Sequence, residues 1–350
     1  MKVKLFSFTL LLGLVTLVSA ASDKVIGYYP YWAQYSQFTP KDVRFHTISS
    51  LHYVSLTPAG DGTLALTDEM DLANFEALTK AAAENNVSVI VVIGGADAGA
   101  VLKSLAADEA LRTSLVKSAA QWATKYKIAG FELDWQNLSA EDAEAFKLLF
   151  HSLKQGLPGM VITASVYIPS MDAYDSSLND LDYVTVFIGD QMTENESLVK
   201  PNLSLDDITS ALKTLAGKGI DKDKLVPVVT LYGKSFAGAT GLGSAHQGVG
   251  SGNEGFIAYK DLLVKFDTPD YKVSFDEASS SEVAVGNSET IVFSGIPSLK
   301  KITTVVKEND FGGLAVYDVS QDHSEPIVSL LVTIGQVLRP EINYAPLKKK

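Results

Sequence analysis

The stretch GFELDWQ, residues 130–136, alternates apolar and polar side chains residue by residue. On a β-strand, a period of two sends Phe131, Leu133 and Trp135 to one face and Glu132, Asp134 and Gln136 to the other. Two carboxylates on one strand face suit sugar chemistry or a metal site. The third polar position is an amide, which neither gives nor takes a proton near neutral pH.

Working outward, short β-type runs alternate with helical ones from Lys24 onward. Strand patterns fall at 24–29, 48–56, 87–93, 128–135, 161–168, 182–188, 225–231 and 312–319. Several are continuously apolar, as strands of a parallel sheet covered on both faces are. Helical spacing predicts helices over 72–85, 111–126, 139–155, 206–216, 256–266, 298–308 and 326–338, the third opening on a capping-box-like SAED. Eight strands alternating with helices predict an α/β protein of the (β/α)8 TIM-barrel class. A doubly wound open sheet is the rival, but its glycine-rich loop after strand one is missing, since the first strand runs into PYWAQY. The segment 267–290 reads as a small insertion between strands seven and eight.

The 350 residues are 46% hydrophobic and 20% charged, enough for one large core. The first twenty differ in kind. Lys2 and Lys4 precede an apolar run from Leu5 to Val18, and Ser19, Ala20 and Ala21 follow. This reads as a signal peptide over 1–20, cleaved near Ala20, and predicts a secreted or periplasmic protein. No later stretch is apolar and long enough for a membrane span. Cleavage removes two lysines and leaves 27 basic residues against 41 acidic, a net −14. That charge disfavours nucleic acid and anionic lipid as partners. Residues 346–350, ending in Lys348 to Lys350, read as a solvated basic tail after a barrel over 21–345. There is no cysteine, so stability must come from the core alone. Asn86, Asn137, Asn195 and Asn202 stand in N-x-Ser triplets.

Five stretches, in order and at barrel spacing, resemble glycoside hydrolase family 18, the chitinases and chitinase-like proteins. GYYPYWAQY (27–35) is similar to the family's first strand and its aromatic exit. VVIGGAD (91–97) resembles the third-strand SxGG motif, with Val92 in place of Ser. KYKIAGFELDW (125–135) resembles the fourth-strand DGxDxDxE signature. LVPVVTLYGKSF (225–236) resembles the seventh strand and its YGR-type turn, and GGLAVYDVSQD (312–322) the eighth strand.

The resemblance implies substrate-assisted hydrolysis, an exception to the scheme of two catalytic carboxylates. In that mechanism the last Glu of the signature protonates the leaving oxygen. The substrate's N-acetyl oxygen attacks the anomeric carbon, and the middle Asp orients the acetamido group. Carried over, the first Asp falls on Ala129, the second on Glu132, the orienting Asp on Asp134 and the acid on Gln136. A sixth-strand Tyr falls on Gly189, next to a retained Asp190. The eighth-strand Trp falls on Tyr317, and the Trp that often follows the double glycine falls on Ala96. The expectation is a chitinase-like protein that binds chitin or another N-acetylglucosamine-containing glycan with little or no hydrolysis, and needs no cofactor.

Tyr28, Trp32, Tyr232 and Tyr317 are the candidate aromatic surfaces of the sugar groove, with Tyr31, Tyr35 and Tyr167 as further contributors. Trp122 and Trp135 read as core. Two alternatives stand beside the binding reading. One is a weak or altered glycosidase that uses Asp190 or Asp318, with a hydrogen-bonding residue and a structural cap as their plainer roles. The other is a scaffold or inhibitor barrel that contacts a protein partner. Glu132 and Asp134 together make a thin ligand set, so no metal is expected, and a hydrogen-bonded pair sharing a proton is. The five histidines are scattered, and His52 reads as a satisfied core residue.

Overall fold

The computed structural model describes residues 24–188 and 197–344. The expected signal peptide, the basic tail, Gly189 and Asp190 lie outside the described residues.

All eight predicted strands form: β1 (Lys24–Pro30), β2 (Ser50–Pro58), β3 (Ser88–Gly95), β4 (Gly130–Trp135), β5 (Val161–Tyr167), β6 (Val184–Phe187), β7 (Leu225–Thr230) and β8 (Gly313–Tyr317). Each pairs in parallel with its neighbours in sequence. β1 pairs with both β2 and β8, which closes the sheet into a (β/α)8 barrel. A short strand, Leu64–Leu66, folds back antiparallel onto β2.

The approach to β4 is set locally. Asp108 caps the helix Glu109–Tyr126 by accepting from the Ala110 and Leu111 amides, and Lys127 ends it in a left-handed conformation with φ 56°. The chain then enters β4, whose outward Phe131, Leu133 and Trp135 are buried among the surrounding helices. On the next helix, Ala143–Gly156, Phe146, Leu149, Phe150 and Leu153 repeat at helical spacing and form its buried face. The predicted capping box at Ser139 does not form. Ser139 Oγ instead donates to the Asp142 carboxylate at 2.9 Å, before a short 3-10 turn. A true capping box holds the helix Leu205–Gly217 between Ser204 and Asp207.

The extra structure between β7 and β8 is larger than the predicted 267–290. A five-stranded antiparallel sheet combines Phe256–Ala258, Tyr232–Ala237, Glu289–Phe293, Ser281–Gly286 and Tyr271–Asp276, in that spatial order. It begins at Tyr232, separated from β7 only by Leu231, and the predicted helix over 256–266 splits into a strand and the helix Tyr259–Phe266. The helix Gly99–Ala107 was not expected at all.

Candidate functional site

The alternation of residues 130–136 places a polar row inside the barrel, graded in depth. Glu132 is fully buried, Asp134 is 5% exposed, and Gln136, one residue past β4, is half-buried at the rim. Beside it, β3 must pass very close. Gly94 has φ +122°, and a Cβ there would lie 2.0 Å from the Asp134 carbonyl oxygen, so only glycine fits.

Glu132 is saturated with donors. Its Oε1 accepts from the Tyr28 hydroxyl at 2.7 Å, from Ser165 Oγ at 2.9 Å, and from Thr185 Oγ1. Its Oε2 meets His52 Nδ1 at 2.5 Å, while His52 Nε2 reaches the Tyr183 hydroxyl at 2.9 Å. Burial pushes the Glu132 carboxyl up, but His52 and the hydroxyl donors outweigh it and hold the group below the usual carboxylate range. Burial, followed by the charge of Glu132, pushes the Tyr28 hydroxyl well above its ordinary value, so it remains a donor. The expected proton-sharing between Glu132 and Asp134 is therefore corrected. No hydrogen bond joins them: the Glu132 oxygens are taken by His52, Tyr28, Ser165 and Thr185, and those of Asp134 by Tyr167 and Gln136.

Asp134 has a different environment. Its Oδ1 accepts from the Tyr167 hydroxyl at 2.7 Å and its Oδ2 from the Gln136 amide at 3.2 Å. Burial, reinforced by the Glu132 charge, lifts its carboxyl to about 6 against the pull of these donors. Two carboxylates two residues apart are thus driven in opposite directions by their surroundings.

Above this row opens a cleft of about 530 Å3, bounded by Tyr28, Trp32, Asp134, Gln136, Tyr232 and Tyr317, among others. Trp32 lies on a 3-10 turn, Tyr31–Ser36, that follows β1, and is 39% exposed. Its ring centroid is 5.1 Å from Tyr31 and 6.5 Å from Tyr317. Phe187 stacks on Tyr167 at 5.0 Å and meets Tyr317 edge-on at 5.9 Å. Tyr232 packs edge-on against Phe256 at 5.0 Å. The cleft thus brings together every described candidate except Glu132, Asp318 and Tyr35. Tyr28 lines it from below, with its hydroxyl spent on Glu132. Tyr35 stays outside, with its hydroxyl on the Asp68 carboxylate.

Asp318 is a cap. Its Oδ1 accepts from the Ser320 amide at 2.8 Å and from Ser320 Oγ, and its Oδ2 accepts from Gln321 Nε2 at 2.9 Å. Burial raises its carboxyl, but both oxygens are engaged and it does not line the cleft. Among the described residues no group of three or more His, Cys, Asp or Glu side chains is placed to hold a metal ion.

Sequence reasoning left the partnership of His52 with Glu132 unseen, and it missed Asp97 and Phe187 on the cleft wall. One signal was present. Thr163, Ser165 and Tyr167 alternate with apolar residues along β5 just as Glu132 and Asp134 do along β4. Asn202 is 1% exposed and bonds Thr230 Oγ1 and the Tyr232 carbonyl, so that N-x-Ser triplet is a packing feature.

The profile of the family described as Glycosyl hydrolases family 18 matches residues 24–322. A chitinase-like effector of Moniliophthora perniciosa is 23% identical, over 87% of this chain and 85% of its own length. The crystal structure of the Group IV chitinase of Ostrinia furnacalis superposes with a TM-score of 0.84 at 21% identity, covering 90% of this chain and 99% of the other. A class V chitinase from Nicotiana tobaccum carrying a Glu-to-Gln mutation, solved in complex with NAG4, superposes with a TM-score of 0.81 at 18% identity, over 90% of this chain and 98% of the other. With a closed eight-stranded barrel and a profile match running from β1 to beyond β8, the chain belongs to glycosyl hydrolases family 18 as a chitinase-like member.

Proposed function

We propose that this chain binds oligosaccharides of N-acetylglucosamine in the cleft above β4 and hydrolyses them little or not at all. The observation that carries the reading is the side chain at the rim of the polar row. Gln136 faces the cleft and donates to Asp134, where the family signature puts its proton donor. An amide keeps the shape and the hydrogen bonding of a carboxylic acid but has no proton to give at working pH. Losing a general acid typically costs about 10²–10⁴ in rate. The only other carboxylates among the described cleft-lining residues are Asp134, held by two donors, and Asp97, which is exposed. In this reading Asp134 orients an acetamido group, Trp32 and Tyr317 present flat faces to the sugars, and Gln136 donates to the glycosidic oxygen.

The NAG4 complex of the tobacco Glu-to-Gln mutant supports the idea that such an exchange is compatible with a held oligosaccharide. Export, with cleavage near Ala20, belongs to the same proposal and is checked by N-terminal sequencing of the protein recovered from its host. Calorimetric titration of chitotetraose, with chromatography of the same samples for shorter products, tests the function. Saturable binding without products is expected. Turnover at the pace of an ordinary chitinase overturns the reading, and so does an absence of binding.

A further inference from the structure

The deep end of the cleft is apolar. Val54, Val92 and Val228 are only 9%, 2% and 3% exposed, yet all three line the cavity, together with Phe187. They come from β2, β3, β7 and β6, so the apolar surface is assembled from strands around the barrel interior. The polar groups at this depth are already engaged. Asp134 holds Tyr167 and Gln136, and Glu132 holds its four donors. A sugar hydroxyl pushed in here competes with these bonds or goes unpaired, and an unpaired buried hydroxyl is costly. A hydrocarbon group finds four apolar walls.

We propose that the valine-lined depth below Asp134 accepts N-acyl groups longer than acetyl, making N-acylated glucosamine oligomers with short alkyl chains better ligands than chitin oligomers. The inference rests on the binding reading above, since it is the amide of a glucosamine unit on Asp134 that aims the acyl chain past Val92 and Val228. Each further methylene buried there strengthens binding about fourfold, the equivalent of about 0.8 kcal/mol per methylene.

The test uses glucosamine tetramers uniformly N-acetylated, N-propionylated or N-butyrylated, titrated into the mature chain by calorimetry at one pH. Affinity is expected to rise about fourfold from acetyl to propionyl and to rise again to butyryl. In Val92→Thr, which keeps the shape but exchanges a methyl for a hydroxyl, the gradient is expected to flatten to below twofold per methylene. Val228→Thr serves the same purpose should the first variant fail to fold. Weaker binding of the propionyl than of the acetyl tetramer overturns this inference and leaves the oligosaccharide reading standing. A gradient that persists unchanged in the valine variants also overturns it, because the chain is then held elsewhere. If no tetramer binds, both readings fall together.

Discussion

His52 Nδ1 lies 2.5 Å from Glu132 Oε2 in the barrel interior, and neither side chain is exposed to solvent. Removing His52 leaves Glu132 with only its three hydroxyl donors, and breaking a buried pair by removing one partner typically costs about 3–5 kcal/mol. His52→Gln is therefore expected to lower unfolding stability by roughly that amount in urea denaturation. Adding Glu132→Gln should recover part of the loss. A double-mutant cycle with no coupling between the two positions would show that the pair is not an energetic unit.

Asp134 should make the fold less stable as pH rises. Its carboxyl titrates at about 6 when folded and near 3.9 when unfolded. Between these values the folded chain holds a proton that the unfolded chain has released, so stability falls as pH rises through the window. The accumulated cost above pH 6 is about 3 kcal/mol. Asp134→Asn, which keeps an acceptor for Tyr167, is expected to raise the melting temperature at pH 7.5 and to change it little at pH 4. Equal effects at both pH values would contradict the assignment.

On the proposed reading, Gln136→Glu puts an acid at the rim but not the rest of the machinery, since the position where the resemblance puts a Tyr is Gly189. Cleavage of a fluorogenic chitobioside is expected to become detectable, yet to stay at least about 100-fold below a family chitinase assayed in parallel. Full activity from this one change would mean that position 136 alone separates this chain from its hydrolytic relatives.

Trp32 offers the most exposed aromatic face of the cleft. Trp32→Ala is expected to weaken chitotetraose about tenfold, in line with the loss of an aromatic stacking surface. Tyr35→Phe should leave affinity unchanged, because Tyr35 does not line the cleft and its hydroxyl is held by Asp68. The two variants measured side by side by calorimetry separate a groove effect from a general loss of the turn.

Asp318 provides a control on alternative acids. Its oxygens serve Ser320 and Gln321, so Asp318→Ala should cost about 1 kcal/mol of stability as a lost cap and leave oligosaccharide affinity unchanged. Any trace hydrolysis that disappears with Asp318 would return the carboxylate to the chemistry.

The barrel was legible because each of its strands is short, apolar and bounded by turn residues. The alternation at 130–136 also fixed which face of β4 turns inward. The inserted sheet was not legible, because Tyr232–Ala237 follows β7 after one residue and reads as that strand's tail. The helix Gly99–Ala107 was hidden behind the double glycine and a run of small residues. At the site, the polar row could be read locally, but its partners could not. His52 and Thr185 reach Glu132 across sequence separations of 80 and 53 residues, and no local pattern announces such a meeting. Tyr167 was weighed only as a groove aromatic, whereas its hydroxyl is what holds Asp134.

Gly94 has no side chain because the Asp134 carbonyl occupies the space one would need. That contact is made by main-chain atoms, so it ties the height of β4 to β3 whatever side chains the rim carries. Residue 136 can be exchanged between acid and amide without moving the strand that presents it. On the proposed reading, an acid-for-amide exchange at the lip is one that the scaffold beneath absorbs without changing its shape.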